Sequence, residues 1–281
     1  MPSPLVSATE LSALLASDTP PRVLDARWDL ARDDGRELYL AGHIPGAVYI
    51  DMNTELATHG RPQDGRHPLP APGVLQAAAR RWGVNTGDTV VVCDDYNSVS
   101  AARAWWLLRQ GGVADVRVLD GGIRAWADAG LPLEEGDVIP EPGDVVVTEP
   151  AEGVIDTAGA AAWPESGVLI DARAADRYRG EVEPYDPIPG HVPGAVSLPA
   201  PVLLEGGRFR PADELRDAFA AVGVTDGVAV AAYCGSGVTA AHTALAGAIV
   251  GIDVTVYPGS WSAYSNTPGM PVATGHLPRG A

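Results

Sequence analysis

The chain has 281 residues, with 19 Lys+Arg against 36 Asp+Glu and a formal net charge of −17. A field of that sign disfavours nucleic acid and anionic membrane surfaces as partners, and a small anionic substrate would need locally placed cations to enter it. Two cysteines, Cys93 and Cys234, are too few for a disulfide scaffold or a four-cysteine zinc site.

The length exceeds the usual size of one α/β unit, so two domains are expected, each with its own core. The opening "MPSPLVSATELSALL" has no basic n-region and no long apolar core, and no uninterrupted apolar run reaches the ~18 residues of a membrane span. A soluble cytosolic protein, with no membrane and no nucleic-acid partner, is expected.

In chain order, "ATELSALLA" reads as a helix, Val23-Leu24 as a strand, "PGVLQAAARRWG" as a helix, and Thr89–Val92 as a strand. "AARAWWLLRQGG" then reads as a helix and Val116–Leu119 as a strand. Trp105, Trp106 and Trp126 sit among apolar neighbours and read as core. The stretch "PLEEGDVIPEPGD" (132–144) has linker composition. Beyond it come strands at Val168–Ile170, Val228–Ala232 and Val254–Tyr257, with "PADELRDAFAAVG" as an intervening helix.

The chain also repeats itself. "RVLDARWD" returns as "VLIDARAAD", "AGHIPGAVYID" as "PGHVPGAVSLP", and "VLDGGIRAWADAGLPL" as "VYPGSWSAYSNTPGMPV". The separation drifts from 148 residues, His43 to His191, to 138, Gly121 to Gly259, as loops of unequal length require. Two copies follow: residues 1–136, a linker at 137–147, and residues 148–281. Alternating strands and helices predict an α/β fold, a mostly parallel sheet with helices on both faces in each copy. Chemistry in such sheets gathers at the carboxyl ends of strands.

Cys234 lies at such an end and opens the turn Cys-Gly-Ser-Gly-Val-Thr before a helix expected from about Ala240. Gly235 and Gly237 permit left-handed backbone, so successive N–H groups of the loop, through Val238 and Thr239, can converge on the sulfur. The helix N-terminus adds positive potential. Both effects favour thiolate, which suits a nucleophile or sulfur carrier. In the aligned first copy Cys93 matches Tyr233, and Asp94 takes the place of Cys234. Cys93 therefore reads as a buried strand-end thiol, and the first copy as catalytically inactive. The residue six past Cys234 is Ala240, not the arginine that a Cys-x5-Arg phosphatase or arsenate reductase requires.

These residues carry a resemblance. The tandem "DAR" and "GHIPGA"/"GHVPGA" blocks, "CGSGVT", "GRHPLP" (65–70) and "GSW" (259–261) are together similar to the two-domain sulfurtransferases of the rhodanese superfamily. The loop resembles that of the 3-mercaptopyruvate sulfurtransferases. The resemblance implies a persulfide on Cys234, formed by attack on a donor sulfur and passed to a thiol or cyanide acceptor, a thioredoxin-like reductant among them. Such a two-step transfer is ping-pong and requires no metal or organic cofactor. A non-catalytic sulfur-binding module is the rival of another class.

Supporting residues are expected as follows. Arg173 and Arg177 are candidates to hold a donor carboxylate, with Arg179 a third, although Arg173 could instead tie Asp171. Ser236 offers a hydroxyl to substrate, and Thr239 is expected mainly as a helix cap. By resemblance His67 approaches the loop and relays a proton with Ser236 and an acid, for which Asp51 is the candidate; Asn53, two residues on, cannot ionise. His43 and His191 occur in both copies and read as structural. Trp261, beside Ser260, is a candidate pocket wall. A loop without cations favours 3-mercaptopyruvate over thiosulfate, the alternative donor.

Overall fold

A computed structural model describes residues 3–149 and 152–280. They form two compact units. The first comprises residues up to Ala57, Pro70 to 149 and Gly206–Phe209. The second comprises Thr58–Leu69, 152 to Glu205 and Arg210 onward. Segment 58–69, in the first half of the chain, thus packs within the second unit.

In the first unit β1 (Leu5–Val6), β2 (Arg22–Asp25), β3 (Val48–Tyr49), β4 (Thr89–Cys93) and β5 (Asp115–Leu119) form one parallel sheet in the order β1-β5-β4-β2-β3. Val23, Val91 and Cys93 pack on α1 (Ala8–Leu15) and on Trp126 of α5 (Gly122–Asp128). Val90 and Val92, also fully buried, point to the other face by the period-two alternation of a strand. α4 (Val99–Gln110) packs against β4 and β5 and buries Trp105 and Trp106. α2 (Gly35–Ala41) and α3 (Pro72–Arg81) complete the unit. The expected helices and strands lie where the apolar spacing put them, with ends shifted by at most two residues.

Segment 132–144 has the composition of a linker but is hydrogen-bonded along the first unit. Glu134 exchanges backbone bonds with His43, and the amides of Gly143 and Val145 donate to the carbonyls of Arg80 and Val84. A Cβ on Gly143 would stand 2.0 Å from the Val84 oxygen, so only glycine passes there.

The second unit has α6 (Thr157–Ala162), β6 (Gly167–Asp171), α7 (Ala175–Arg179) and β7 (Val196–Ser197), then the two-residue strands β8 (Leu204–Glu205) and β9 (Arg208–Phe209, counted with the first unit). α8 (Ala212–Ala221), β10 (Ala229–Tyr233), α9 (Val238–Ile249), β11 (Val254–Val256) and α10 (Ser260–Ser265) follow. Its sheet is parallel in the order β11-β10-β6-β7, with a parallel bridge from Val154 to Val256 where the first unit has β1. Leu169, Ala231, Tyr233, Tyr257, Trp261 and Tyr264 build its core.

His43 and His191 occupy matching places. Each sets Nδ1 against a backbone oxygen, Tyr39 at 2.9 Å and Tyr178 at 2.8 Å, and stacks on that tyrosine's ring at 4.1 and 3.8 Å. Both are structural, as their presence in both copies predicts.

Candidate active site

Strand register aligns the two units residue by residue. Tyr233 pairs with Asp171 as Cys93 pairs with Asp25, so Cys234 and Asp94 each open the loop after the central strand. In the second unit the amide of Gly237 donates to the Cys234 sulfur at 3.1 Å. Gly237 has φ +83°, and a Cβ there would meet the Pro258 oxygen at 2.2 Å, so the loop can turn its amide inward only with glycine. The Cys234 and Gly235 carbonyls accept from the amides of Trp261 and Ser262, both at 2.9 Å, which fixes the loop against α10.

The helix α9 begins at Val238, two residues earlier than expected, with Gly237 as its N-cap and no side-chain capping bond. The expectation that Thr239 caps this helix is corrected: Thr239 lies in its first turn. The amide end of this 12-residue helix, starting at the buried loop's exit, adds positive potential beside the sulfur. Val238 is buried behind it.

Ser260 was not singled out for chemistry by the sequence. Its backbone is left-handed, φ +54°, at the place where the first unit has Gly122 at φ +59°. Its Oγ accepts from the Cys234 amide at 3.0 Å and donates to the Tyr257 oxygen at 2.8 Å, a reason for a serine to hold a conformation that costs about 1 kcal/mol or more. The aligned Gly122 is the only sequence signal for it. Trp261 is fully buried, with its Nε1 donating to the Ile188 oxygen at 2.9 Å, so it belongs to the core rather than to a pocket wall.

Segment 58–69 brings His67 and Arg66 to the loop. His67 Nδ1 and Ser236 Oγ lie 2.8 Å apart, and both residues are buried. Asp51 sits in the first unit, where its Oδ1 accepts from the Asn53 amide at 2.9 Å and from the Thr54 amide and hydroxyl at 2.8 and 2.9 Å. That carboxylate closes a turn.

The arginines divide into two kinds. Arg173 binds Asp171 through Nε and Nη2 at 3.0 and 2.6 Å and the Gly190 oxygen at 2.6 Å, as Arg27 binds Asp25 and the Gly42 oxygen in the first unit. Its side chain is 1 % exposed, and its guanidinium lies 4.6 Å over the Trp261 ring. Burial works against its charge, but Asp171 outweighs burial and holds Arg173 above the ordinary arginine range. This is a structural arginine, and the pairing with Asp171 accounts for "DAR" in both copies. Arg179 is bidentate to Glu181 at the surface.

Arg177 and Arg66 face the loop instead. A Cβ on Gly235 would stand 3.1 Å from Arg66 Nη2 and 3.2 Å from Arg177 Nη1, so the missing side chain is what lets both guanidiniums abut the residue after Cys234. Arg66 is the residue that the sequence reading passed over, although it stands inside "GRHPLP".

In the first unit the same cradle holds its own anion. Asp94 Oδ1 accepts from the amides of Tyr96 and Ser98 at 3.1 and 3.0 Å, and Oδ2 from the amide of Ala101 at 3.0 Å. Burial pushes its carboxyl up to about 6 despite these bonds. Burial, with Asp25 and Asp94 beside it, also drives the Cys93 thiol well above the ordinary range, which suits a buried, unreactive cysteine.

A family model described as the rhodanese-like domain matches the chain twice, over residues 7–129 and 156–267. The chain belongs to the rhodanese family. This rhodanese is 43 % identical over 275 residues to a Mycobacterium tuberculosis protein assigned as thiosulfate sulfurtransferase SseB, covering 96 % of this chain and 97 % of that one. It is 37 % identical to the 3-mercaptopyruvate sulfurtransferase of Escherichia coli K12 over 91 % of this chain and 92 % of the relative. Among solved structures, that of Escherichia coli SseA superposes with a TM-score of 0.81 at 35 % identity, covering 92 % and 99 % of the two chains. Near-full-length likeness to named sulfurtransferases makes this rhodanese a sulfurtransferase, an enzyme with a sulfur donor and an acceptor, and sets aside the non-catalytic module. No helix among the described residues is long and apolar enough to cross a membrane.

Proposed function

We propose that the protein moves sulfur from 3-mercaptopyruvate to a thiol or cyanide through a persulfide on Cys234, in the cytoplasm. The Cys234 thiolate attacks the mercapto sulfur, the S–C bond breaks, and its electron pair leaves on the methylene carbon as an enolate. The proton of the mercapto group ends on that carbon, giving pyruvate, and the outer sulfur stays on Cys234. An acceptor thiolate or cyanide then takes the outer sulfur and returns the Cys234 thiolate. A thioredoxin-like dithiol fits the acceptor role.

The observation that carries this reading is the buried Ser236–His67 pair at 2.8 Å beside the Cys234 loop. A carbon leaving group needs a proton carrier, whereas sulfite leaving thiosulfate needs none. The relay consists of Ser236 and His67, with Asp51 left to its turn. Arg177 and Arg66 supply the cations for the carboxylate, and the amides from Gly235 to Thr239, with Gly237 foremost, stabilise charge on sulfur. Thiosulfate is the second reading, favoured by Arg66 at Gly235, a cation that the loop itself lacks. Steady-state rates with both donors at matched acceptor and salt test the choice: kcat/KM higher for 3-mercaptopyruvate by about tenfold supports it, since one charge-assisted contact is worth ~1.4 kcal/mol or more, and equal or greater efficiency with thiosulfate overturns it.

A further inference from the structure

The loop after α7 places one more charged group among these arginines. The Asp186 side chain is 2 % exposed, and its two oxygens go to different partners: Oδ1 accepts from Arg66 Nη1, and Oδ2 from Arg177 Nη2 at 3.3 Å. A carboxylate bridging two guanidiniums beside the nucleophile's loop occupies the setting that an anionic substrate would seek. Glu183 adds a second acid, taking Arg177 Nη2 at 2.7 Å and Arg173 Nη1 at 3.1 Å. Arg66, Arg173 and Arg177 are therefore matched by Asp171, Glu183 and Asp186, and the cluster is neutral as a whole.

Neutrality has a direct consequence for selectivity. A site of unopposed arginines would reward each added negative charge on the ligand, and a dianion most. Asp186 opposes this in proportion to ligand charge, because Coulomb energy scales with the product of the charges. The site retains donor capacity for a ligand, since Arg66 Nε is buried without a hydrogen-bond partner. A cavity of about 420 Å³ adjoins the Arg66–Asp186 pair, with Arg61, Tyr185 and Ser262 also in its lining and neither Arg177 nor the Cys234 loop. Burial raises the Asp186 carboxyl, with Arg66 acting against it, as expected for an acid held in place by its partners rather than by water.

We infer that Asp186 is a specificity-determining residue, a resident carboxylate that selects a sulfur donor bearing one negative charge over a donor bearing two. The inference rests on the reading that Arg66 and Arg177 hold an anionic donor. Removing the charge while keeping the shape, Asp186→Asn, should improve binding of both classes, and the gain for a dianion should be the square of the gain for a monoanion. At low ionic strength kcat/KM should rise about threefold for 3-mercaptopyruvate and about tenfold for thiosulfate, with the difference shrinking as salt is added. Asp186→Glu, which keeps the charge, should restore the wild-type ratio.

The opposite result has a plain meaning. If Asp186 only props the two arginines in position, Asn weakens both donors by a similar factor and the ratio stays flat, which overturns the inference. An equal shift from Asn and Glu overturns it too. Calorimetric titration of the full chain with two unreactive probes, pyruvate as monoanion and sulfate as dianion, separates this from the assigned reaction. If wild type transfers sulfur from neither donor, the proposed function fails, while the sulfate-to-pyruvate affinity ratio in wild type and Asp186→Asn still reports the filter. An unchanged ratio in that titration sinks the inference by itself.

Discussion

The Gly237 amide stands 3.1 Å from the Cys234 sulfur, where the first unit closes the amides of Tyr96, Ser98 and Ala101 on the Asp94 carboxylate. One backbone arrangement thus faces a cysteine sulfur in the second unit and a carboxylate in the first. The arrangement depends on the left-handed turn. Gly237→Ala would place a methyl 2.2 Å from the Pro258 oxygen at φ +83°. It should cost at least about 1–3 kcal/mol of stability and abolish most sulfur transfer. Thermal unfolding and turnover check both, and an active, equally stable Ala variant would show that the amide contact is dispensable.

Asp94 gives the first unit a pH signature. Its folded carboxyl lies at about 6 against an ordinary 3.8, so folding favours the protonated form. The associated stability is fully present below the ordinary value and is lost as pH rises from about 4 through about 6. The loss is on the order of 3 kcal/mol at most. Asp94→Asn should lack this component, so the gap in unfolding free energy between Asn variant and wild type should widen in the variant's favour across that window. Urea titrations at pH 4 and pH 7 measure it, and parallel pH profiles would contradict it.

The two kinds of arginine should separate by assay. Arg177→Ala should raise KM for an anionic donor about tenfold or more, since it removes a charge-assisted contact, at a smaller stability cost than Arg173→Ala because Glu183 and Asp186 keep Arg173 and Arg66 as partners. Arg173→Ala leaves Asp171 buried without its bidentate partner and should cost about 3–5 kcal/mol of stability. A stable Arg173→Ala enzyme with a purely raised KM would return Arg173 to the binding role that the sequence suggested.

The legible and illegible parts of the site differ for a physical reason. Strand ends, Asp94 at the place of Cys234 and the Cys234 loop are readable because period, repetition and glycine placement are local signals. For Arg173 the sequence leaves two readings open, donor binding or a tie to Asp171, because "DAR" states which residues adjoin but not that Asp171 and the Gly190 carbonyl saturate the guanidinium. Arg66 and Asp186 stayed hidden because they meet only when segment 58–69 and the loop after α7 pack together, 120 residues apart in the chain. Ser260 hides for a related reason, as only its backbone angle reveals its strain.

His67 and Ser236 should matter for one donor and not the other. Ser236→Ala or His67→Ala should lower kcat with 3-mercaptopyruvate by about 100-fold, the scale of a lost proton-transfer group, while changing thiosulfate turnover by less than about threefold. Equal losses with both donors would make the pair a loop support rather than a proton relay.

Intact-protein mass spectrometry after incubation with 3-mercaptopyruvate, without acceptor, tests the persulfide on Cys234 most directly. Wild type and Cys93→Ser should each gain one sulfur that cyanide removes, and Cys234→Ser should gain none. A sulfur that persists in Cys234→Ser and disappears in Cys93→Ser would contradict the assignment of Cys234 as the carrier.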